Sequence, residues 1–271
     1  MSALSSASSA STQLFRREDN GRVVTLTLSG PNRNALSLAM IDTLILALAD
    51  IASDGSKRAV VLTGEGPALS GGHDLKEMQA HRTDPDGGKA FFGDLMARCS
   101  MLMQAIVAQP QPVIAAVEGV ATAAGCQLVA SCDLAVAGAG ARFGLSGVNN
   151  GLFCSTPLVA VGRAVSRKHA LEMGLTGSLF SAADAERFGL VNRVVAQGQA
   201  LAEAQRLAKA TAGHSGPTLA LGKRVFYAQI EKPLDAAYRF AADAMVENLA
   251  DPDCVEGFDA FIDKREPRWS A

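Results

Sequence analysis

Short, compact apolar runs alternate along the first half of the chain with longer stretches of helical periodicity. Residues 113–117, VIAAV, are bounded by Pro112 and by Glu118-Gly119 and predict a fully buried strand. Residues 59–62 and 134–136 have the same character. Residues 22–28, RVVTLTL, mix alternation with β-branched side chains and stop at the turn signal Ser29-Gly30-Pro31. Residues 142–144 and 191–195 predict two further short strands. Ser37 is placed to cap a helix over LAMIDTLILALADIA, which ends near Gly55. The pattern over 89–109 predicts a helix burying Phe92, Leu95, Met96, Met101 and Met103. A helical run through Gln127, Leu128 and Cys132 follows the strand at 113–117. From Leu158 onward the spacing predicts helices over 158–165, 167–174, 182–189, 199–211, 217–230, 234–250 and 255–264.

Glycine-rich or polar stretches separate these elements. TGEGPALSGG, 63–72, reads as a loop, and Asp74 opens a short helical turn, DLKEMQA. Residues 81–88 read as exposed, and LSGVNNGLFCSTP, 145–157, as a polar loop of the kind that carries function. Repeated strand–strand–helix units followed by helices imply an α/β architecture with a mixed sheet. The expected division is a disordered tail over 1–13, a core over 14–200 and a helical region over 201–271. That last region would be too exposed alone and is expected to pack on a neighbouring subunit.

Composition narrows the function. Hydrophobic residues make up 48% of the 271, charged residues 19%, and the net charge is −2 without a long basic run. Such a balance argues against nucleic-acid binding. No uninterrupted apolar stretch approaches the length of a membrane span. The five cysteines are an odd count without C-x-x-C spacing, and the four histidines are scattered, so reduced thiols and no metal site are expected. MSALSSASSAST reads as a tail of a cytoplasmic protein. A mitochondrial transit peptide stays open, because no acid precedes Glu18 and Arg16-Arg17 lie close by.

The segment 113–133 carries the chemistry. Its strand runs into a seam of tiny residues, Ala121 to Gly125, and then into a helix. Main-chain N–H groups at a helix start have no partner within the helix and favour negative charge. Two readings stand side by side: close packing of helix on sheet, or an oxyanion hole with the Ala124 amide as one donor. GAGARFG, 138–144, departs from the dinucleotide-binding spacing, and ALSGG, 68–72, is only a near miss for a serine-hydrolase elbow.

SGGHDLKEM with its preceding TGEG, PVIAAVEG and AAGCQLVASCDLAVA together resemble the crotonase superfamily, the enoyl-CoA hydratase/isomerase fold. PNRNALS, LTGSLFSAADAERFGLVNRVV and FIDKREPRW match further family positions, so the resemblance spans Val23 to Trp269. The resemblance implies a spiral of ββα units with a C-terminal helical trimerisation region, assembled as a trimer or dimer of trimers. It implies an acyl thioester as substrate, with coenzyme A as part of that substrate and no separate cofactor. By position, the amides of His73 and Ala124 would polarise the thioester carbonyl. Arg33, Ala35, Gly71, Asp74, Leu75 and Lys76 would line the CoA path, Ser155 the acyl site, and Lys264 would reach a neighbour's CoA.

The two hydratase glutamates have no counterpart. The first position, three residues after the second oxyanion amide, is Gln127, and the second, four after Phe143, is Gly147. Gln orients water but does not take a proton near neutral pH, and each lost acid–base group costs about 10²- to 10⁴-fold. Candidate replacements are the His73 imidazole, Asp74, Cys126, Ser146, Asn149, Asn150 and the Cys154-Ser155 pair. Asp74 is better placed to cap its helix and Cys126 to pack inward. Two functions remain: an acyl-CoA enzyme of enolate chemistry with rearranged side chains, or a non-catalytic acyl-CoA-binding or interaction protein. Restoring Gln127→Glu together with Gly147→Glu is expected to raise hydration if the pocket is otherwise intact.

Overall fold

A computed structural model describes residues 14–270; the tail expected over 1–13 lies outside the described residues. The strands are β1 (Phe15–Asn20), β2 (Val23–Leu28), β3 (Ala59–Gly64), β4 (Ala68–Ser70), β5 (Val113–Val117), β6 (Val120–Thr122), β7 (Leu134–Gly138), β8 (Arg142–Gly144), β9 (Phe180–Ser181) and β10 (Arg193–Val195). The helices of the first half are the single turn α1 (Pro31–Asn34), α2 (Leu38–Ser53), α3 (Leu75–Ala80), α4 (Lys89–Ala108) and α5 (Ala124–Ser131). The second half adds α6 (Ser155–Ala164), α7 (Arg167–Thr176), α8 (Ala182–Phe188), α9 (Ala200–Ala212), α10 (Gly216–Gln229), α11 (Leu234–Leu249) and α12 (Pro252–Ile262).

Two sheets run side by side. One has the order β1-β2-β3-β5-β7-β10, the other β4-β6-β8-β9. Among the described residues only the end pairs β1/β2 and β8/β9 are antiparallel. Each unit β3-β4, β5-β6 and β7-β8 gives its first strand to the large sheet and its second to the small one, then enters a helix or helical turn. Repetition of that step winds the chain into a spiral.

Several elements depart from the sequence-based expectation. β1, FRREDN, is a strand that the sequence pattern does not predict; it is a charged edge strand with mostly exposed side chains, so no apolar alternation marks it. β4 lies inside the stretch read as a loop, and β6 in the small-residue seam; three residues are too few to show a period. α4 buries Leu95, Cys99, Leu102, Met103 and Ile106, whereas Met101 is 56% exposed. Steps of three and four residues from Leu95 reach 99, 102, 103 and 106, and Met101 falls off that stripe. α6 begins at Ser155, three residues earlier than expected.

The main core lies between the sheets and α2, α4 and α5. A second core is built from Ala200, Ala204, Ala208 and Ala212 of α9 against Val61, Ile114, Ala116 and Val136 of the large sheet. The i, i+4 alanines let α9 approach closely, so this helix is part of the sheet's packing although it follows the division at 200. Glu118 fixes its start, accepting from the backbone of Gly198 and Ala200. Among the described residues α4 alone has the length and apolar composition to cross a membrane; here it packs on α2 and α5.

Candidate active site

The loop leaving β4 and the turn entering α5 meet face to face. Ser70 Oγ accepts the Gly72 N–H at 3.2 Å. Gly71 donates to the Arg33 carbonyl at 3.0 Å, and its own carbonyl accepts from Thr122 Oγ1 at 3.2 Å. Gly72 has φ +92°, where a Cβ would be strained and would stand 3.0 Å from Ala123 Cβ and 3.3 Å from Ala124 N. Ala123 itself sits at φ 50°, ψ −120°, a conformation that costs a non-glycine residue about 1–3 kcal/mol. Its N–H bonds to Gly144 O at 2.9 Å and its carbonyl accepts Gln127 N at 3.0 Å, so β8 and α5 hold the strained turn from both sides. Gly125 packs on Ser70: a Cβ there would overlap the Ser70 carbonyl oxygen.

This geometry leaves two amides free. Neither the His73 nor the Ala124 main-chain N–H has a hydrogen-bond partner among the described residues. A buried N–H without a partner is uncommon and calls for an explanation. The two lie on either side of the Gly72–Ala123 contact. An anionic or carbonyl oxygen is the chemical group that would satisfy both.

The His73 imidazole is turned away from this role. Its Nδ1 lies 3.2 Å from Leu36 O and donates to it. Nε2 is then a bare acceptor, buried and without a partner among the described residues. Burial pushes the pKa of His73 down, only partly offset by Leu36 O, so the ring is neutral near pH 7. Sealed as it is, Nε2 has no exposed surface through which to exchange a proton with a ligand.

A strip of residues runs from the amides along the surface. Asn32, Arg33 and Asn34 all have positive φ, of 53°, 62° and 54°. Asn34 Nδ2 secures this left-handed turn to Glu65 O (3.0 Å) and Ala68 O (2.8 Å), and Asn32 Nδ2 donates to Asp74 Oδ2 at 2.9 Å. Arg33, Ala35, Gly71, Asp74, Leu75 and Lys76 are thereby brought together beside His73. Asp74 caps α3, accepting from Lys76 N and Glu77 N. Burial works to raise its pKa, but the Asn32 amide and these N–H groups outweigh it and hold the carboxyl below its ordinary range. Arg33 and Lys76 are exposed cations at either end of the strip. Lys264 stands apart, exposed beyond α12 with φ 55°, and among the described residues its side chain bonds to none of them. The sequence pattern gives little sign of the importance of Asn32; only its place in PNRN, a turn-prone string, hints at it.

Gln127 and Gly147 are both unlike open acid positions. Gln127 is 4% exposed, and its Oε1 faces Cys99 Sγ on α4 at 3.9 Å. Gly147 lies in the 3₁₀ turn Ser146–Asn150. A Cβ there would overlap the Leu152 carbonyl oxygen and stand 2.7 Å from Cys154 Sγ. The expectation that a glutamate could be restored at 147 is therefore corrected: the chain beyond it folds back over the Cα. The Cys154 thiol occupies that space and accepts the Gly147 N–H, while burial pushes its pKa up. A protonated, enclosed thiol is a poor nucleophile, and among the described residues no partnered base bonds to it. Cys126 is fully enclosed, and burial pushes it to about 12. Ser155 is exposed at the first position of α6, and Asn149 Nδ2 is used structurally on Gly177 O. Among the described residues no group of His, Cys, Asp or Glu is placed to hold a metal.

A cavity of about 660 Å³ opens beside Gln127. α4 contributes Ser100, Met103, Gln104 and Val107, α6 Val159 and Ala160, and α10 Phe226 and Tyr227. α10 is held there by a buried ion pair: Lys223 Nζ bonds to Asp133 Oδ2 at 2.7 Å and to Ile106 O at 2.9 Å, and Tyr227 donates to Asp133 Oδ1 at 2.9 Å.

Residues 18–271 match the model of the family described as enoyl-CoA hydratase/isomerase. The mouse (Mus musculus) enoyl-CoA hydratase domain-containing protein 3, mitochondrial, is 48% identical over 256 residues, covering 94% of this chain and 83% of that protein. A solved enoyl-CoA hydratase of Mycobacterium smegmatis superposes with a TM-score of 0.90 at 49% identity, covering 95% of this chain and 99% of that one. The crystal structure of the human enoyl coenzyme A hydratase domain-containing protein 3 gives a TM-score of 0.89 at 43% identity, covering 95% and 100%.

Proposed function

Since the chain belongs to the enoyl-CoA hydratase/isomerase family, we propose that it binds an acyl-CoA thioester and stabilises the enolate of its acyl group between the His73 and Ala124 N–H groups. The observation that carries this reading is the pair of unpartnered amides flanking the Gly72–Ala123 contact. Each such donor is worth about 3–4 kcal/mol to a developing oxyanion. The strained Ala123 turn supports the same reading, because strain of this kind persists where the fold imposes it and clusters at sites of chemistry. Arg33 and Lys76 are suited to the phosphates of the CoA part.

Ordinary hydration is not the reaction this site favours. Crotonyl-CoA hydration should run orders of magnitude below that of a two-glutamate hydratase, since neither acid is present. Gln127→Glu is isosteric and should fold. Gly147→Glu should fail to add activity, alone or in combination, because its Cβ has no room beneath Leu152 O. Steady-state crotonyl-CoA hydration of the four proteins checks this; a hydratase-like wild-type rate, or a large gain on adding Gly147→Glu, would sink it. The closed Gly147 position is also the one feature that favours the second reading, a non-catalytic acyl-CoA binder. Thermal shift across acyl-CoA thioesters followed by product analysis separates the two. Stabilisation with no product from any thioester would select the binder.

Self-association completes this proposal. Leu234 (75% exposed), Phe261 (85%) and Ile262 (73%) are large apolar side chains left exposed on α11 and α12, the kind of surface that marks an interface. A trimer or a dimer of trimers would cover it. Light scattering should return three or six times the 28.1 kDa of one chain; a monomer mass would overturn the assignment. The mitochondrial name of the mouse relative supports the mitochondrial alternative for this chain over the cytoplasmic one.

A further inference from the structure

Among the polar side chains that line the cavity between α4, α5, α6 and α10, Gln127 is the one that is both deeply buried and uncommitted. Its Oε1 is engaged by Cys99, and its Nε2 has no hydrogen-bond partner among the described residues. Nε2 is also not sealed in the way His73 Nε2 is, so it retains access to the cavity whose wall it forms. Neighbouring polar groups are spent elsewhere: Ser131 Oγ donates to Gln127 O, Tyr227 to Asp133, and Arg163 to Glu231 and Val159 O. Ser100 and Thr156 are only half-buried and can turn towards solvent. Much of the remaining lining, including Met103, Val107, Ala130, Val159, Phe226 and Ile230, is apolar.

We propose that this cavity selects acyl thioesters carrying a carbonyl oxygen on the third carbon, a 3-oxoacyl group, with Gln127 Nε2 as the donor to that oxygen. The inference rests on the reading that Ala124 N–H takes the thioester oxygen. Gln127 stands three residues along α5 from Ala124, nearly one helical turn of about 5.4 Å, and on the same face. A side chain there meets a substituent beyond the α carbon rather than the thioester itself. A saturated or 2-enoyl chain has no oxygen at that depth and leaves the buried amide unsatisfied, which is costly. A 3-hydroxyl would bring its own proton, and Gln127 Oε1 is already on Cys99. A carbonyl only accepts, which is what Nε2 requires. With a donor on each oxygen, the 1,3-dicarbonyl enolate is stabilised at both ends. Its α proton can then pass to solvent water or a buffer base admitted through the open cavity, in place of the glutamates the site lacks.

The test compares butyryl-CoA, crotonyl-CoA and acetoacetyl-CoA by isothermal titration on the full chain. Acetoacetyl-CoA should bind about tenfold tighter than butyryl-CoA, the order expected of one well-made hydrogen bond in a dry wall. Gln127→Met, which keeps the volume, should bring that ratio close to one. Gln127→Glu should do the same at a pH where its carboxyl is ionised, because a carboxylate repels the carbonyl, whereas the protonated acid can still donate. Absorbance of the acetoacetyl enolate should rise on binding to the wild type and not to either variant. Equal binding of the three thioesters by the wild type, or a ratio unchanged in both variants, overturns the 3-oxo selection and leaves thioester binding standing. Failure of all three to bind overturns the thioester reading itself.

Discussion

Lys223→Met is expected to destabilise the protein by about 3–5 kcal/mol, lowering its melting temperature by roughly 10 °C. Lys223 and Asp133 have only 7% and 15% of their side chains exposed. Burial pushes the Lys223 pKa down, and the Asp133 charge opposes that shift without cancelling it. The ammonium is solvated by the protein instead of water: Asp133 Oδ2, Ile106 O in the last turn of α4, and Gln111 O at 3.4 Å. A cation at a helix C-terminus is favourable in its own right. Removing it leaves a buried carboxylate whose remaining partners, Tyr227 OH and Val113 N–H, do not neutralise it. Arg163–Glu231 is the contrast, with side chains 62% and 60% exposed; Arg163→Met should cost no more than about 1 kcal/mol. Chemical denaturation of the two variants beside the wild type decides the matter. Equal losses would mean that Lys223 contributes no more than a surface charge. Because α10 forms one wall of the cavity beside Gln127, Lys223→Met should also loosen that wall and weaken acyl-CoA binding.

Gly72→Ala should reduce any turnover or α-proton exchange of a bound thioester by about 10²-fold or more, the effect of losing one oxyanion donor. The added methyl would lie 3.3 Å from Ala124 N and 3.1 Å from Thr122 O, at the contact that separates the two free amides. It would also be held at φ +92°, a strain of about 1–3 kcal/mol. Strain and blockage must be told apart, and Gly66 allows it. Gly66 has φ +78° and open space, with nothing within 4 Å of where a methyl would stand, so Gly66→Ala takes a similar strain without touching the site. Exchange of the α protons in heavy water, followed by NMR for wild type, Gly66→Ala and Gly72→Ala, reads the difference. A second comparison uses an acyl-CoA thioester against its carbonyl-free thioether. The preference for the thioester should survive in Gly66→Ala and vanish in Gly72→Ala. If Gly72→Ala kept both the exchange rate and the preference, the two amides would not be acting on the carbonyl.

The closure of Gly147 and the engagement of Gln127 change what replacing the two glutamates means. A missing side chain at 147 left as open space could have been refilled; here Leu152 O and Cys154 Sγ already lie over the Cα. Residues 145–157 close over that position, with the Leu152 N–H returning to Gly147 O at 3.0 Å. Gln127 fits the same pattern, since its amide oxygen has taken a partner on α4.

Local chemistry along the chain was enough to place the pieces. VIAAV between Pro112 and Glu118 reads as buried strand, Ser37 caps α2 by accepting Met40 N, and Asp74 caps α3, because such signals are local. The seam Ala121–Gly125 likewise announced a helix start with free amides. Tertiary structure alone decided what those amides face. Gly72 meets Ala123 across about fifty residues, Cys99 meets Gln127 across 28, and Lys223 meets Asp133 across 90. No periodicity encodes such pairings, since each depends on how whole strands and helices stack. The charged edge strand β1 and the three-residue strands β4 and β6 escaped for a related reason: their partners, not their own side chains, make them strands.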